Sequence, residues 1–253
     1  MPIGIIGGTG FSQLPEFDLH REEVTTAFGA VTVLSGSFAD KEVVFLPRHG
    51  AAGRLAPHQI AYQANIAALQ SLGCTHILAT NAVGGIREDI EPGHLVVSDQ
   101  FLDFTRQRPL TLAEGSDEEI PHIDVTNPYC SYLRQLIAEQ AWEAGLVVHQ
   151  DVVYVCTEGP RFETSAEIQM FAQLGGDVVG MTGVPEVVLA REAEICYASV
   201  GVVTNYAAGI SGETLSADEV HELMDQLRPD LLALLTEAIA RLDPQADCLC
   251  PFK

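Results

Sequence analysis

Short apolar, β-branched runs recur along the chain, separated by segments whose apolar residues follow a different period. The runs are IGII (3–6), VTVLSG (31–36), EVVFL (42–46), HILATNA (76–82), HLVVSDQFLDF (94–104), DVVYVCT (151–157), DVVGM (177–181) and YASVGVVTN (197–205). Near-continuous hydrophobicity over so few residues marks strands buried on both faces. From Pro57 to Gly73 the apolar positions fall instead at helical spacing, on Ile60, Ala64, Ala67, Ala68 and Leu72, and Gly73 is a helix-ending residue. Helices are likewise predicted over 128–145, 163–174, 185–194 and 216–242, the last opening on a capping box of Ser216 and Glu219. Strands alternating with helices predict an α/β fold whose largely parallel sheet is covered on both faces. Ligands in such folds sit at the carboxyl ends of the strands. No repeat, low-complexity tract or Pro/Ser-rich linker breaks the pattern, which predicts one domain over 1–253 with a tail from about 243.

Charge changes the picture more than composition does. Thirteen Lys and Arg stand against thirty-five Asp and Glu, a formal charge of −22. Such a surface repels nucleic acid and anionic membrane, whose binding is driven by neutralising phosphates with Lys and Arg. It also repels a small anion, so any phosphate site must bring its own local donors. No apolar run approaches the ~18 residues that span a bilayer, and the N-terminus lacks the basic flank of a signal peptide. A soluble, cytoplasmic protein is expected. Of the six cysteines, Cys74, Cys130, Cys156 and Cys196 lie in apolar surroundings and read as reduced core residues. Cys248 and Cys250, in CLCPFK, lack a second ligand pair in the sequence, so no metal is expected there.

The candidate chemistry begins at IGIIGGTGF (3–11), a strand that breaks into glycines and a hydroxyl. A dinucleotide fingerprint needs a third glycine after Gly8 and Gly10 and a helix to follow; the glycine is missing and Pro15 stands in the way. A triphosphate loop needs Gly-Lys-Ser/Thr, and no lysine precedes residue 41. A turn exposing backbone N–H groups and the Thr9 hydroxyl remains, enough for one tetrahedral anion or for a purely structural bend. LPRHG (46–50) puts Arg48 and His49 at another strand end, and guanidinium matches phosphate bidentately. TNAVGG (80–85), MTGVPE (181–186) and TNYAAG (204–209) end further strands in uncharged donors, offering Asn81, the Ala82 N–H and Thr182 to an anion. In TEGPRFETSAE (157–167), Glu163 reads either as a ligand or as a first-turn acid favoured by the helix dipole.

Taken in order, GGTG, PRHG, HQIAYQANIAAL, TNAVGG, EGPRFETSAE, GMTGVPEVVLARE and CYASVGVVTNYAAG resemble the trimeric purine nucleoside phosphorylases and methylthioadenosine phosphorylases, from Gly7 to about Leu242. The resemblance implies a three-layer α/β/α fold with a mixed, partly barrel-like sheet. It implies a homotrimer, with a hexamer left open, and no metal or organic cofactor, inorganic phosphate being the co-substrate. By matching motifs, Thr9, Arg48, His49, Ala82 and Thr182 would hold phosphate, with Asn81 beside them. Met181 would lie against the ribose and Phe162 on the base. His122, in PHIDVTNPY, would reach the 5′ end of a nucleoside bound by the neighbouring subunit.

Within that family the purine pocket is read by two positions. Adenine-specific members carry Asp-x-Asp where this chain has Asn205 and Ala207. A carboxamide offers N–H donors to O6 and N7 of a 6-oxopurine, and a Glu163 carboxylate accepts the N1–H that hypoxanthine has and adenine lacks. At the sugar end, members that bind a 5′-hydroxyl place a histidine where this chain has Ala217, near Leu215; an apolar wall suits a methylthio group. His221, one turn on, reads either as a displaced partner for the 5′ end or as an exposed helix residue. The combined expectation is phosphorolysis of 5′-methylthioinosine, with Asn205, Glu163 and His49 as catalytic residues; methylthioadenosine or inosine and guanosine are the alternatives. A nicotinamide-dependent oxidoreductase and a non-catalytic nucleoside sensor are the readings from other classes.

Overall fold

The computed structural model describes residues 1–11, 18–113, 120–212 and 214–252. Its strands are β1 (Ile3–Gly7), β2 (Leu19–Thr26), β3 (Gly29–Phe38), β4 (Lys41–Pro47), β5 (His76–Gly85), β6 (Leu95–Phe104), β7 (Val148–Thr157), β8 (Val178–Gly180) and β9 (Cys196–Tyr206). The helices are α1 (Tyr62–Ser71), α2 (Ser131–Glu143), α3 (Ser165–Gln173), α4 (Gly183–Glu192) and α5 (Ala217–Arg241). Each predicted run and helix has its counterpart. β2 was not foreseen: LHREEVTT has no apolar run, because it is an edge strand with a solvated face.

The strands hydrogen-bond in the order β2-β3-β4-β1-β5-β8-β7-β6-β9, and β9 returns to pair with β5. Strands β5, β8, β7, β6 and β9 therefore close a five-stranded barrel, with β1 to β4 extending from it as an open sheet. The expectation of a largely parallel sheet gives way to a mixed one, as the resemblance implied. β2 pairs antiparallel with β3 and β3 with β4, and the barrel adds antiparallel seams at β5–β8 and β6–β9. A two-residue turn makes the β3–β4 hairpin: Ala39 and Asp40 both have positive φ, 48° and 61°, the twist that matches right-handed strands.

The sheet's period of two sorts its side chains into two cores. Ile3 and Ile5, Val43 and Phe45, Leu78, and Ala198, Val200 and Val202 face α2 and α5. Ile6, Val44 and Leu46, Ile77 and Ala79 face α1 and α4. Three layers result, helices on either side of one sheet. α3 closes one end of the barrel with Ile168 and Phe171 against Val155 and Val179.

Two helix starts differ from expectation. Ser216 caps α5, but it accepts from the Asp218 N–H and forms no capping box with Glu219. The capping box lies at α3, between Thr164 and Glu167. Glu163 precedes that cap, so it is not a first-turn acid of the helix. At the other end of the chain the tail folds back, bringing Cys248 and Cys250 to Cys130 and Cys196. The fold supplies the second thiol pair that the tail's own sequence lacks.

Candidate active site

β4, β1, β5 and β9 run parallel, so their carboxyl ends share one rim. A cavity of about 920 Å³, mouth included, lies over that rim beneath the start of α5. Every site residue predicted from the sequence lines it except His122.

At the anion end, strand pairing itself leaves space. β1 pairs with β5 as far as Ala79, and β8 pairs with it only from Gly84, so residues 80–83 have no strand on that edge. Gly8 packs into the gap: its N–H donates to Thr80 Oγ1 at 2.9 Å, and a Cβ there would lie 2.4 Å from the Thr80 carbonyl and 2.7 Å from the Arg48 guanidinium. Only glycine fits this close approach. Thr9 follows at the cavity wall.

Arg48 differs from its simplest expectation. It is 1% exposed, and its Nε and Nη2 each donate to Glu186 at 2.7 Å while Nη1 donates to the Thr80 carbonyl at 2.6 Å. Of its five donors two remain for an anion. Burial works against the guanidinium charge, but the Glu186 carboxylate outweighs it and holds Arg48 charged. Glu186, itself 0% exposed, also accepts from the Tyr197 hydroxyl at 2.7 Å. The pair is neutral as a unit, so the cradle relies on aimed dipoles rather than net charge.

His49 Nδ1 lies 2.7 Å from the Leu55 carbonyl. A carbonyl only accepts, so Nδ1 carries the hydrogen and Nε2 of the neutral ring carries a lone pair. Burial, above all, pulls the ring's pKa below its ordinary value and favours that neutral form. Asn81 is 3% exposed, donates to Thr182 Oγ1 at 3.1 Å and accepts from Ser199. Its amide thus positions Thr182, whose own hydroxyl hydrogen is left for a ligand. The N–H groups of Thr182 and Gly183 both bond the buried Tyr154 hydroxyl at 3.2 Å, fixing the start of α4.

At the base end, Glu163 is 9% exposed and accepts from Thr157 Oγ1 at 2.6 Å. Burial raises its pKa above the usual carboxyl value, and the Thr157 hydrogen bond only partly offsets this. Arg108 holds the carbonyls of Thr157 and Glu158 at 3.1 and 2.9 Å, which steadies the segment leading to Glu163. Asn205 spends one N–H on the Tyr206 carbonyl, 2.8 Å away, and accepts from Thr204 Oγ1 at 2.9 Å. One N–H therefore remains for a ligand, where the sequence suggested two. Ala207, Phe162 and Met181 form walls without charge.

The outer end is built by Leu215, Ala217, Val220 and His221. The apolar wall is present as expected. His221 is exposed, and it also lines both this cavity and a smaller neighbouring one bounded by Gly8, Thr9 and His49, so both of its readings stay open. Positions 217 and 221 are one turn apart on α5 and so share a face. His122 is exposed and away from the cavity.

Sequence reasoning assigned no role to Glu186, Thr157 or Tyr154. Glu186 had a signal: one carboxylate inside the apolar run VPEVVLA (184–190) requires a buried cation. Tyr154 had none, since its partners Thr182 and Gly183 lie on another element, and Thr157, six residues before Glu163, had none because only the folded loop turns the two together.

Strand-end donors around a buried guanidinium stand opposite a buried carboxylate and a carboxamide, an arrangement able to take an oxyanion beside a polar heterocycle. The family model of the phosphorylase superfamily matches residues 2–240. Among similar relatives, a probable 6-oxopurine nucleoside phosphorylase of Dictyoglomus turgidum is 50% identical, covering 99% of this chain and 95% of its own. A probable S-methyl-5′-thioinosine phosphorylase of Methanopyrus kandleri is also 50% identical, covering 98% and 95%. Among solved structures, a methylthioadenosine phosphorylase from Schistosoma mansoni in complex with adenine superposes with a TM-score of 0.90 at 36% identity, covering 95% of this chain and 91% of that one. The chain belongs to the phosphorylase superfamily. Within it the protein is a pentosyltransferase of the nucleoside phosphorylase type, which sets aside the oxidoreductase and sensor readings. Among the described residues, no helix is long and apolar enough to cross a membrane.

Proposed function

We propose that this enzyme converts S-methyl-5′-thioinosine and inorganic phosphate into hypoxanthine and 5-methylthioribose 1-phosphate. The observation that carries the reading is the pairing, at one end of the cavity, of the buried Glu163 carboxylate with the Asn205 carboxamide, with alanine at 207. Hypoxanthine offers N1–H to the carboxylate and O6 and N7 to the remaining amide N–H. Adenine would leave Glu163 facing a lone pair, and unpaired buried polar groups discriminate strongly.

Phosphate held by Thr9, the two outer N–H groups of Arg48, the Ala82 N–H and the Thr182 hydroxyl lies beneath C1′. As the C1′–N9 bond breaks, its electron pair goes to the purine and C1′ becomes cationic; a phosphate oxygen then forms the C1′–O bond. Neutral His49 accepts a hydrogen bond from monohydrogen phosphate, which leaves charge on the attacking oxygens. Asn205 meets the charge gathering at N7 and O6. The departing purine anion becomes hypoxanthine by taking up one proton, matching the one that monohydrogen phosphate gives up as the sugar phosphate dianion forms. Positioning and electrostatics supply the acceleration, with no covalent enzyme intermediate and no organic cofactor. Met181 packs on the ribose and Phe162 on the base. In the homotrimer proposed here, His122 of a neighbouring subunit completes the sugar site, and light scattering is expected to give three chain masses.

The test is kcat/KM for methylthioinosine, methylthioadenosine and inosine, with and without phosphate. Methylthioinosine is expected to lead methylthioadenosine by about 10²-fold or more, and turnover should cease without phosphate. Asn205→Asp is expected to move that ratio toward the 6-aminopurine by at least about tenfold; an unchanged ratio would count against the base assignment.

His221 favours a second reading, a 6-oxopurine nucleoside with a free 5′-hydroxyl. Under the methylthioinosine reading, His221→Ala changes methylthioinosine turnover by less than about twofold, because a thioether offers an imidazole little to bind. A loss confined to inosine would show where the histidine acts.

A further inference from the structure

Four thiols from three separate parts of the chain converge at the end of the molecule remote from the nucleoside cavity. Cys130 is the N-cap of α2, Cys196 opens β9, and Cys248 and Cys250 belong to the tail. All four sulfurs lie within 4.8 Å of one another and none is in a disulfide. Cys196 Sγ is 3.8 Å from Cys248 Sγ and 3.6 Å from Cys250 Sγ. A tetrahedral zinc with bonds of about 2.3 Å sets its sulfurs about 3.8 Å apart. We propose that Cys130, Cys196, Cys248 and Cys250 form a closed tetrathiolate zinc site that fastens the C-terminal tail to α2 and β9.

Local chemistry supports this in three ways. The chain bends at Leu249, which is 69% exposed, and the thiols on either side of it both turn to Cys196. An apolar tail clasp would have buried that leucine. A tetrathiolate zinc carries a net charge of −2, which in a chain of −22 needs a positive neighbour. The amino end of α2 supplies dipole at Cys130. Arg191 supplies charge: it is 5% exposed, its Nη1 has no hydrogen-bond partner among the described residues, and it lies 5.6 Å from the ring of Phe252 in the same tail.

Binding displaces up to four thiol protons to solvent and changes no oxidation state. Four sulfur ligands leave no open position, so the site is structural rather than hydrolytic. None of the four cysteines lines the nucleoside cavity, and β9 separates Cys196 from Asn205 by about 30 Å of strand.

The test uses the full chain, expressed with zinc and purified under reductant. Plasma mass spectrometry is expected to find about one zinc per chain. Cobalt in place of zinc should give the visible d–d bands of a tetrahedral thiolate complex. Cys248→Ser/Cys250→Ser should abolish both signals and lower Tm by about 5–10 °C, with kcat/KM kept within about twofold because the sites are distant. Cys130→Ser, acting from another element, should lose the metal as well. Four free thiols without metal, disulfides among these cysteines, or iron in place of zinc would each overturn the assignment.

Discussion

Replacing Glu163 by Gln is expected to cut kcat/KM for the 6-oxopurine nucleoside by about 10²-fold, the worth of one charge-assisted hydrogen bond of about 3 kcal/mol, while raising Tm. The two effects share a cause. Glu163 is 9% exposed, and burial raises its pKa, so the folded protein holds its proton more tightly than the unfolded chain does. Stability from this group is therefore present at low pH and is lost as pH rises from the ordinary carboxyl value through the raised one. At neutral pH the carboxylate costs stability, and Gln removes that cost while losing the acceptor for N1–H. The acid limb of kcat/KM should lie above the usual glutamate range and disappear in the variant. Measuring Tm and kcat/KM between pH 4.5 and 8 separates the cases; a variant that is both less stable and fully active would contradict the role of Glu163.

Arg48→Met is expected to destabilise the fold by about 3–5 kcal/mol, because it leaves Glu186 charged and alone in the core. The Arg48–Glu186 contacts are at 2.7 Å with both side chains almost wholly buried. Adding Glu186→Leu to Arg48→Met should recover most of that stability, since a buried pair replaced by apolar groups is often neutral. Activity should not return, because the double variant still lacks the guanidinium donors for phosphate. Denaturant unfolding of both variants, with the KM for phosphate, checks this. Recovery of phosphorolysis in the double variant would show that Arg48 serves the fold alone.

Much of the site was legible because the family's motifs keep their strand-end positions. PRHG, TNAVGG and TNYAAG each end a strand, and parallel pairing brings those ends to one rim. What was not legible was how donors are divided. Arg48 reads as a free fork in LPRHG, yet Glu186 lies 138 residues away and takes most of it. Asn81 reads as a ligand, yet Ser199 and Thr182 occupy its amide. Glu163 reads in its own segment equally as a ligand or a helix-start acid, and only the Thr164–Glu167 cap removes the second.

Local pattern alone determined the strands, the helices and their covering of a sheet, because period and chain punctuation are properties of neighbouring residues. β2 escaped it because an edge strand's solvated face carries no apolar run. Tertiary structure alone decided which strands close the barrel, with β9 returning to β5, and the neutral Arg48–Glu186 unit. It alone brought the tail thiols to Cys130 and Cys196. Each of these depends on groups far apart in the chain, and their separation in space is set only when the sheet closes and the two cores pack.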